Sequence, residues 1–387
     1  MTLKRPPAHR AGTFVTQQPG PEGFAAFAPA ALPPDPPLDS GPWLQNGLDR
    51  ASRALGRLDA ITLLLPNPTL FLYTYARREA VLSSQIEGTQ STLSDLLLFE
   101  NEAMPGVPTE DVTEVWNYSA AMEHGLKRIR EGFPLSLRLI RDIHRILVEG
   151  TRGSDKAPGD FRTSQNWIGG TRPGNAAFVP PPPHLVMPAL GQLETFLHDE
   201  SLAIPPLIKA GLAHAQFETI HPFLDGNGRV GRLLITFLLC QEGVLSQPLL
   251  YLSLYLKKHK QRYYDCLQRI RTHAEWEAWL AFYLEGVAEV ASEATGTAHK
   301  LIQLFERDRK AIQELGRRGV VALRAHEVLK LRAATSITQL ARTVGVTFPT
   351  ASTAIQHLVS LGIAKEITGR SKNQVFVYQD YLNALSD

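Results

Sequence analysis

From Trp43 to about Ile129 the apolar positions recur at helical spacing in four stretches: WLQNGLDRASRALGRLDAI (43–61), TLFLYTYARREAVLSSQIEG (69–88), TQSTLSDLLLFENE (89–102) and DVTEVWNYSAAMEHGLKRI (111–129). The LPNP segment, Leu65 to Pro68, separates the first two, because proline and asparagine interrupt the pattern and proline restricts the residue before it. Further helices are predicted over Ser136–Glu149, His184–Leu197, Pro206–Thr219, Ser253–Arg271 and Glu275 to about Leu304. Between them, DFRTSQNWIGGTRPGNAAFVPPPP (160–183) changes texture. Short β-type runs flank Gly-Gly and Pro-Gly-Asn, which predicts a small hairpin. Up to about residue 40 the chain is dense in Pro, Ala and Gly, favouring an extended arm or loop over a packed element.

The C-terminal segment follows a separate logic. ITQLARTVGV, TFPTASTAIQHLVSLGIA and KEITGRSKNQVFVY read as helix, turn, helix and a two-stranded wing with GRSKN at its tip, the layout of a winged helix-turn-helix. The expected division is therefore an arm over 1–42, a helical region over 43–130, a core over 131–299 and this module over 300–387. The fold class expected is mainly α, with one hairpin.

Composition changes this picture little. The chain has 387 residues, 44% of them hydrophobic and 20% charged, enough for two or three ordinary globular domains. Its net charge of +2 names no partner. From Lys300 onward, however, 13 Lys/Arg stand against 7 Asp/Glu, a local +6 that leaves −4 for the rest. A basic module on a slightly acidic body suits contact with a polyanion such as DNA, and modules of this layout also mediate protein contacts; both readings stay open. The N-terminal stretch has no apolar signal region and the longest apolar runs are short or broken by Arg, so no membrane partner and a cytoplasmic location are expected. Cys240 and Cys266 show no metal-ligand spacing and are expected as buried free thiols. No internal repeat is apparent.

The chemistry is concentrated in His221–Arg232, HPFLDGNGRVGR. Gly226, Gly228 and Gly231 allow close backbone approach, and the apolar run Leu233–Leu239 predicts a buried helix directly after the loop. Free N–H groups and the positive end of a helix dipole make such a terminus an anion site. Arg229 and Arg232, three apart, would both reach one polyphosphate. Asp225 stands where a divalent ion bridging phosphate oxygens needs a hard ligand, and His221 would take a proton from an attacking hydroxyl. A lone histidine, glycine turn or arginine pair is usually structural; their concentration in one short segment is what points to function.

At every signature position this string resembles the HxFx(D/E)GNGRxxR pattern of the Fic family, enzymes that transfer a nucleotide monophosphate, usually AMP from ATP, onto a protein hydroxyl. The resemblance spans roughly Leu44 to Thr295 and implies a Fic-type helical bundle with a β-hairpin flap over 131–299. It implies that His221 is the general base, that Asp225 holds Mg²⁺, with Mn²⁺ as an alternative, and that the backbone N–H groups of Gly226, Asn227 and Gly228, with the Asn227 side chain, cradle the phosphates, Gly231 also counting among the nucleotide-binding positions. Arg229 would contact the β-phosphate and Arg232 the γ-phosphate. Phe223 reads as the apolar anchor of the loop. Ile168 and Gly169, in the hairpin around Gln165–Gly169, fall among the nucleotide-binding positions of the flap, which in the family clamps the target by strand addition. Asn166 stands where relatives often carry an aliphatic residue. Tyr263 and Tyr264 fall where the family contacts adenine and ribose, although an aromatic pair at helical spacing is by default core; Arg271 stands where some relatives have a polar base contact, and as an arginine a structural role is the other reading.

The segment SSQIEG also resembles the family's inhibitory motif (S/T)xxxE(G/N), with Ser83, Glu87 and Gly88 at its fixed positions. The resemblance implies that Glu87 pairs with Arg232, removing the partner of the γ-phosphate and preventing ATP from lying in line for attack, all within one chain. The same glutamate would also allow the reverse reaction, removal of AMP. The implied partner is a protein with a Ser, Thr or Tyr hydroxyl, or the chain itself. The alternative is a DNA-binding regulator whose Fic core is a sensor or self-modifying switch. A homodimer is compatible with either, though no feature of the sequence demonstrates one.

Overall fold

The structure, a computed structural model, describes residues 10–17, 23–64, 68–92, 96, 109–370 and 373–386. It is mainly helical. At its centre α6 (Pro206–Ile220) is buried along its whole length, because apolar and small residues occupy every face. The next helix, α7 (Asn227–Gln241), packs against it after a six-residue loop. Around this pair lie α1 (Pro42–Leu64), α2 (Pro68–Ile86), α3 (Thr109–Arg130), α4 (Leu137–Leu147), α5 (Pro183–His198), α8 (Leu252–Lys258), α9 (Lys260–His273) and α10 (Trp276–Gln313).

Several expectations meet a different structure. The Pro-rich arm is not a bare extended segment: β1 (Gly12–Gln17) and β2 (Phe24–Pro29) form an antiparallel hairpin with Phe14 opposite Phe27. Ala26 and Phe27 are buried, the Phe27 N–H donates to Val179 O at 2.9 Å, and Gln216 on α6 donates to Ala30 O at 2.7 Å. Strand pairing and the burial of Ala26 and Phe27 therefore overrode the proline content around them. The single helix expected over Ser253–Arg271 breaks at His259 into α8 and α9; no Pro or Gly marks the break, so the periodicity runs across it. The helix expected over 89–102 lies outside the described residues, apart from non-helical 89–92 and the buried Leu96. So do 65–67 of the LPNP segment, on whose two sides α1 ends and α2 begins. Cys266 is buried and Cys240 half-buried, both as free thiols.

The hairpin expected over 160–183 is reduced to one antiparallel bridge, Ile168 with Phe178, closed by hydrogen bonds of 2.8 and 3.1 Å. Pro180–Pro183 supply no N–H groups, so the ladder cannot extend beyond it. Within its turn the Asn175 side chain accepts from the N–H groups of Thr171 and Arg172.

The expected boundary at 299/300 falls inside α10, an unbroken helix of 38 residues and about 57 Å at 1.5 Å per residue. Its C-terminal half carries the last unit: α11 (Gly319–Arg332), β3 (Ala334–Ser336), α12 (Ile337–Val344), α13 (Phe348–Ser360), β4 (Lys365–Glu366), β5 (Val375–Val377) and α14 (Gln379–Ser386). The strands form an antiparallel sheet in the order β3-β5-β4. Ser336 and Thr347 cap α12 and α13 by accepting from Gln339 N and Thr350 N. Asp308 on α10 accepts from the Tyr378 hydroxyl, and Phe305 packs edge-on against Tyr381, which fixes the unit to the helix. Residues 371–372, at the tip GRSKN, lie outside the described residues.

Candidate active site

The loop between α6 and α7 is shaped by its own side chains. His221 ends α6 in the left-handed region, φ 49° and ψ 60°, an uncommon conformation for a residue with a Cβ. Its carbonyl is held by Arg162 Nε at 2.9 Å and Asn166 Nδ2 at 3.3 Å. The buried Arg162 also donates to the carbonyls of Ser164, Pro181 and Ile220. One guanidinium thus ties both ends of the 164–181 segment to the histidine. Asn227 closes the turn from within, accepting from Phe223 N and donating to Phe223 O, both at 2.8 Å. Phe223 is buried and stacks on His144 at 3.7 Å. Because Gly159 N donates to His144 Nδ1, the proton sits on Nε2, which donates to Asp225 O at 3.0 Å. Gly226, with φ 76°, precedes α7, leaving the N–H groups of Asn227, Gly228 and Arg229 in its first turn without intrahelical acceptors.

A cavity of about 450 Å³ opens onto this loop, lined by Glu87, Ile168, Phe178, Glu218, His221, Gly228, Arg232, Tyr263, Tyr264 and Arg271 among others. Arg232 is committed to α2: Nε donates to Ser83 Oγ at 2.8 Å, and Nη2 to Ser83 O at 2.9 Å and to Glu87 Oε1 at 2.8 Å. Burial by itself would raise the Glu87 carboxyl, but Arg232, through charge and hydrogen bond, brings it below its usual value. Glu79, Ser83 and Glu87, spaced by four, share one face of α2 and its C-terminal end. Glu79 is buried behind Arg232 with hydrogen bonds from Ser253 and Tyr118, and burial pushes it up to about 7. Lys260 Nζ caps the end of α2 at Ile86 O, 2.7 Å away, and Gly88 follows with φ 108°. His221 is driven the other way. Burial, then the charges of Arg271 and Arg162, lower it to about 3 against the opposing effect of Glu87, so its imidazole is neutral at physiological pH.

Three expected phosphate contacts are arranged otherwise. Arg229 is fully buried, 3.3 Å from Glu114 Oε2 and 3.7 Å from Asp225 Oδ1, and does not line the cavity; the acidic partners on its own turn and on α3 draw it away. Its Nε and Nη2 have no hydrogen-bond partner. The Asn227 side chain serves the loop rather than the cavity, because Phe223 offers it both an acceptor and a donor. Gly231 faces Glu218: a Cβ built there would stand 2.4 Å from Glu218 Oε1. Gly228, by contrast, meets Glu87, with a Cβ 2.2 Å from Oε1. Tyr263 is buried with its hydroxyl 2.9 Å from His214 Nε2, whose Nδ1 donates to Gly231 O, while Tyr264 is half-exposed beside it. Gly169, φ 69°, adjoins the Ile168 bridge. Arg271 donates to Thr219 Oγ1 and Glu218 O and lies 3.7 Å over the Phe178 ring, joining the 164–181 segment to α6.

Asp225 is the candidate for a divalent ion. Its carboxylate is 28% exposed, accepts from Gly226 N and lies 3.6 Å from Arg152 Nε. No group of three or more His, Cys, Asp or Glu able to hold a metal occurs among the described residues. One carboxylate fits an ion such as Mg²⁺ that takes its remaining ligands from phosphate and water. Arg162, His144 and Glu79 were not singled out from the sequence, because each acts through a partner distant in the chain; Glu218 was missed although it stands only three residues before His221, because a glutamate at that spacing is unremarkable on a helix.

Among the described residues no helix is long and apolar enough to cross a membrane. Comparison with known proteins adds the lineage. Residues 46–127 match the Fic/DOC family N-terminal region and 134–239 the Fic/DOC family. The chain is 30% identical over 190 residues to the protein adenylyltransferase Fic of Aedes aegypti, covering 47% of this chain and 34% of that one. To the protein adenylyltransferase fic-1 of Caenorhabditis elegans it is 31% identical over 180 residues, 45% of this chain and 32% of the other. It thus spans about a third of the length of the curated relatives it matches. In fold it is similar to a Fic family protein from Desulfovibrio desulfuricans, with a TM-score of 0.58 and 20% identity over 88% of this chain and 97% of that one. A Fic domain containing signaling protein from Bacteroides thetaiotaomicron gives 0.52 and 19%, covering 64% and 95%. With the HPFLDGNGRVGR loop at the head of α7 and both family regions in order, the chain belongs to the Fic/DOC family.

Proposed function

We propose that this protein is a protein adenylyltransferase, held at rest by Glu87. The observation that carries the reading is that Arg232, the last residue of the signature, is paired with Glu87 in the wall of the cavity that also holds His221. ATP enters that cavity with its phosphates towards the free N–H groups at the start of α7. Neutral His221 accepts the proton of a Ser, Thr or Tyr hydroxyl; the oxygen bonds to the α-phosphorus, the α–β phosphoanhydride bond breaks, and pyrophosphate leaves. Asp225 would hold Mg²⁺, or Mn²⁺, which would supply charge to neutralise the phosphates. Arg232 takes the γ-phosphate after Glu87 withdraws, and Arg229 meets the β-phosphate on turning from Glu114 and Asp225. Ile168, Gly169 and the bridge to Phe178 form the flap that aligns the acceptor segment; Tyr264 stacks on the base, with the Tyr263 ring beneath it. The same Glu87 carboxylate, freed from Arg232, would direct water for the reverse removal of AMP.

The reading is tested by incubating the Glu87→Gly protein and host lysate with ATP labelled at the α or the γ position, followed by mass spectrometry of labelled chains. AMP transfer deposits the α label and an adenosine monophosphate mass. Deposition of the γ label would instead indicate a kinase, and the loss of both would overturn transfer.

A second reading is supported by the C-terminal unit. Thr350, Thr353 and Gln356 are exposed on α13, with Arg342, Lys365 and Arg370 exposed nearby in sequence, which suits a winged helix-turn-helix lying on duplex DNA. The protein would then be a regulator with its Fic core as a sensor. Electrophoretic shift with the promoter of its own operon, repeated across salt, separates sequence-specific binding from phosphate attraction.

A further inference from the structure

Two buried polar atoms in the cavity wall have no well-aligned hydrogen-bond partner: Glu218 Oε1, and His221 Nδ1, which has the Glu218 backbone carbonyl beside it only as a weak acceptor, itself taken by Arg271. The second oxygen of the same carboxylate, Glu218 Oε2, lies 3.9 Å from His221 Nδ1, one α-helical turn before it. The groups around them are already engaged. Arg232 donates to Ser83 and Glu87, the Tyr263 hydroxyl meets His214, and Arg271 donates to Thr219 Oγ1 and to the Glu218 carbonyl. Glu218 is fixed from the far side by the absence of a side chain at Gly231.

We propose that Glu218 is the positioning carboxylate of His221: it accepts a hydrogen bond from Nδ1–H, fixes the tautomer that leaves Nε2 free, and holds the imidazolium formed when Nε2 takes the acceptor proton. The proposal rests on His221 being the general base. A shift of about 1 Å closes the gap to hydrogen-bonding distance. The proton balance is simple. The hydroxyl proton moves to Nε2, Nδ1 keeps its own, and the ring loses the extra proton to solvent after pyrophosphate has left; Glu218 remains ionised throughout, as an orienting carboxylate does beside a catalytic histidine.

This gives Glu87 a second point of action. Burial, offset by Arg232 and Arg271 and reinforced by the negative charge of Glu87, raises Glu218 to about 7, so near neutral pH it is partly protonated in the paired state. A protonated carboxyl donates to Nδ1 and leaves the proton on Nε2, the wrong tautomer for a base. The charged and titratable groups facing Glu218 are Glu87 at the end of α2, Arg232 on α7, Tyr263 and Arg271 on α9, and His221 itself. Removal of Glu87 therefore frees Arg232 and also favours the ionised Glu218.

The test compares Glu87→Gly with the double variants carrying Glu218→Gln or Gly231→Ala. The ¹⁵N signals of the His221 ring, assigned against the His221→Ala spectrum, are followed across pH. Glu87→Gly is expected to carry its neutral-state proton on Nδ1 and to show a raised imidazole pKa relative to both double variants. Self-labelling with α-labelled ATP should fall on the order of tenfold to a hundredfold in kcat in both double variants, with the KM for ATP unchanged. Should Glu218→Gln fail to fold, Gly231→Ala supplies the same readouts by displacing Oε1. An unchanged His221 tautomer and pKa in the double variants overturns the proposal. Retained labelling in Glu87→Gly/His221→Ala would instead overturn the assignment of the base, and the ring spectrum distinguishes the two failures because it requires no turnover.

Discussion

Glu87 and Arg232, 145 positions apart in the chain, meet in an ion pair of 2.8 Å, with Ser83 accepting a second hydrogen bond from the same guanidinium. Glu87 keeps 27% of its side chain exposed to the cavity while Arg232 keeps 2%. The glutamate is thus the movable partner and the arginine the fixed one.

If the pair restrains the site, Glu87→Gly should bind ATP more tightly and label faster by on the order of tenfold or more, since a buried arginine loses a charge-assisted hydrogen bond and regains it from phosphate. Adding Arg232→Ala should remove the gain. Isothermal titration with ATP and a labelling assay measure both; equal values for wild type and Glu87→Gly would contradict the restraint.

His221→Ala in the released background should cut transfer by about 10²–10⁴-fold, the contribution of a positioned general base, while leaving ATP affinity within about twofold. Single-turnover labelling separates the two. Normal transfer would remove His221 from the chemistry.

Arg162 should matter more to structure than its absence from any motif suggests. Arg162→Ala leaves the carbonyls of Ser164, Pro181 and Ile220 without this donor, at about 1–3 kcal/mol for each one left buried and unpaired. Arg162→Lys should recover little, because an ammonium lacks the planar fork. Asn166→Leu should cost about 1 kcal/mol, since the His221 and Phe223 carbonyls keep Arg162 and Asn227 as donors. Urea unfolding at fixed pH gives the order; equal losses for Arg162→Ala and Asn166→Leu would show that the fork does not organise the segment.

Stability should rise with pH between about 4.5 and 6.5. Burial lowers His144, His214 and His326 to about 4 and His221 to about 3, so below the ordinary histidine value of 6.5 the unfolded chain binds protons that the native state refuses. Glu79 and Glu218, raised by burial from 4.5 to about 7, act oppositely: the native state holds their protons and loses that stability as pH rises through 7. Four histidines outweigh two carboxyls below 6.5, and above it only the carboxyls remain. Tm measured by calorimetry should therefore climb from pH 4.5 to 6.5 and flatten or dip near 7. A Tm independent of pH over that range would contradict the neutral buried imidazoles.

Most of the helical order was legible in the sequence because periodicity depends only on near neighbours. The LPNP segment separates α1 from α2, and the turn carrying Gly226 and Gly228 leads into an apolar helix, as their spacing predicts. The break at His259 was illegible, since nothing local interrupts the pattern, and so was the packing of the N-terminal hairpin, whose stabilising contacts come from Val179 and Gln216.

The sequence by itself determined which residues are near neighbours: His221 to Gly226 in one loop with Asn227 to Arg232 opening the helix after it, and Ser83 and Glu87 one helical turn apart. Tertiary structure decided what each of them faces. It gave Arg229 to Glu114, set Arg162 against the His221 carbonyl and brought Arg232 to Glu87. The physical reason is that covalent spacing fixes neighbours on one helix, whereas a buried polar group takes whichever partner the packing of other helices brings into reach, and that same burial sets its charge.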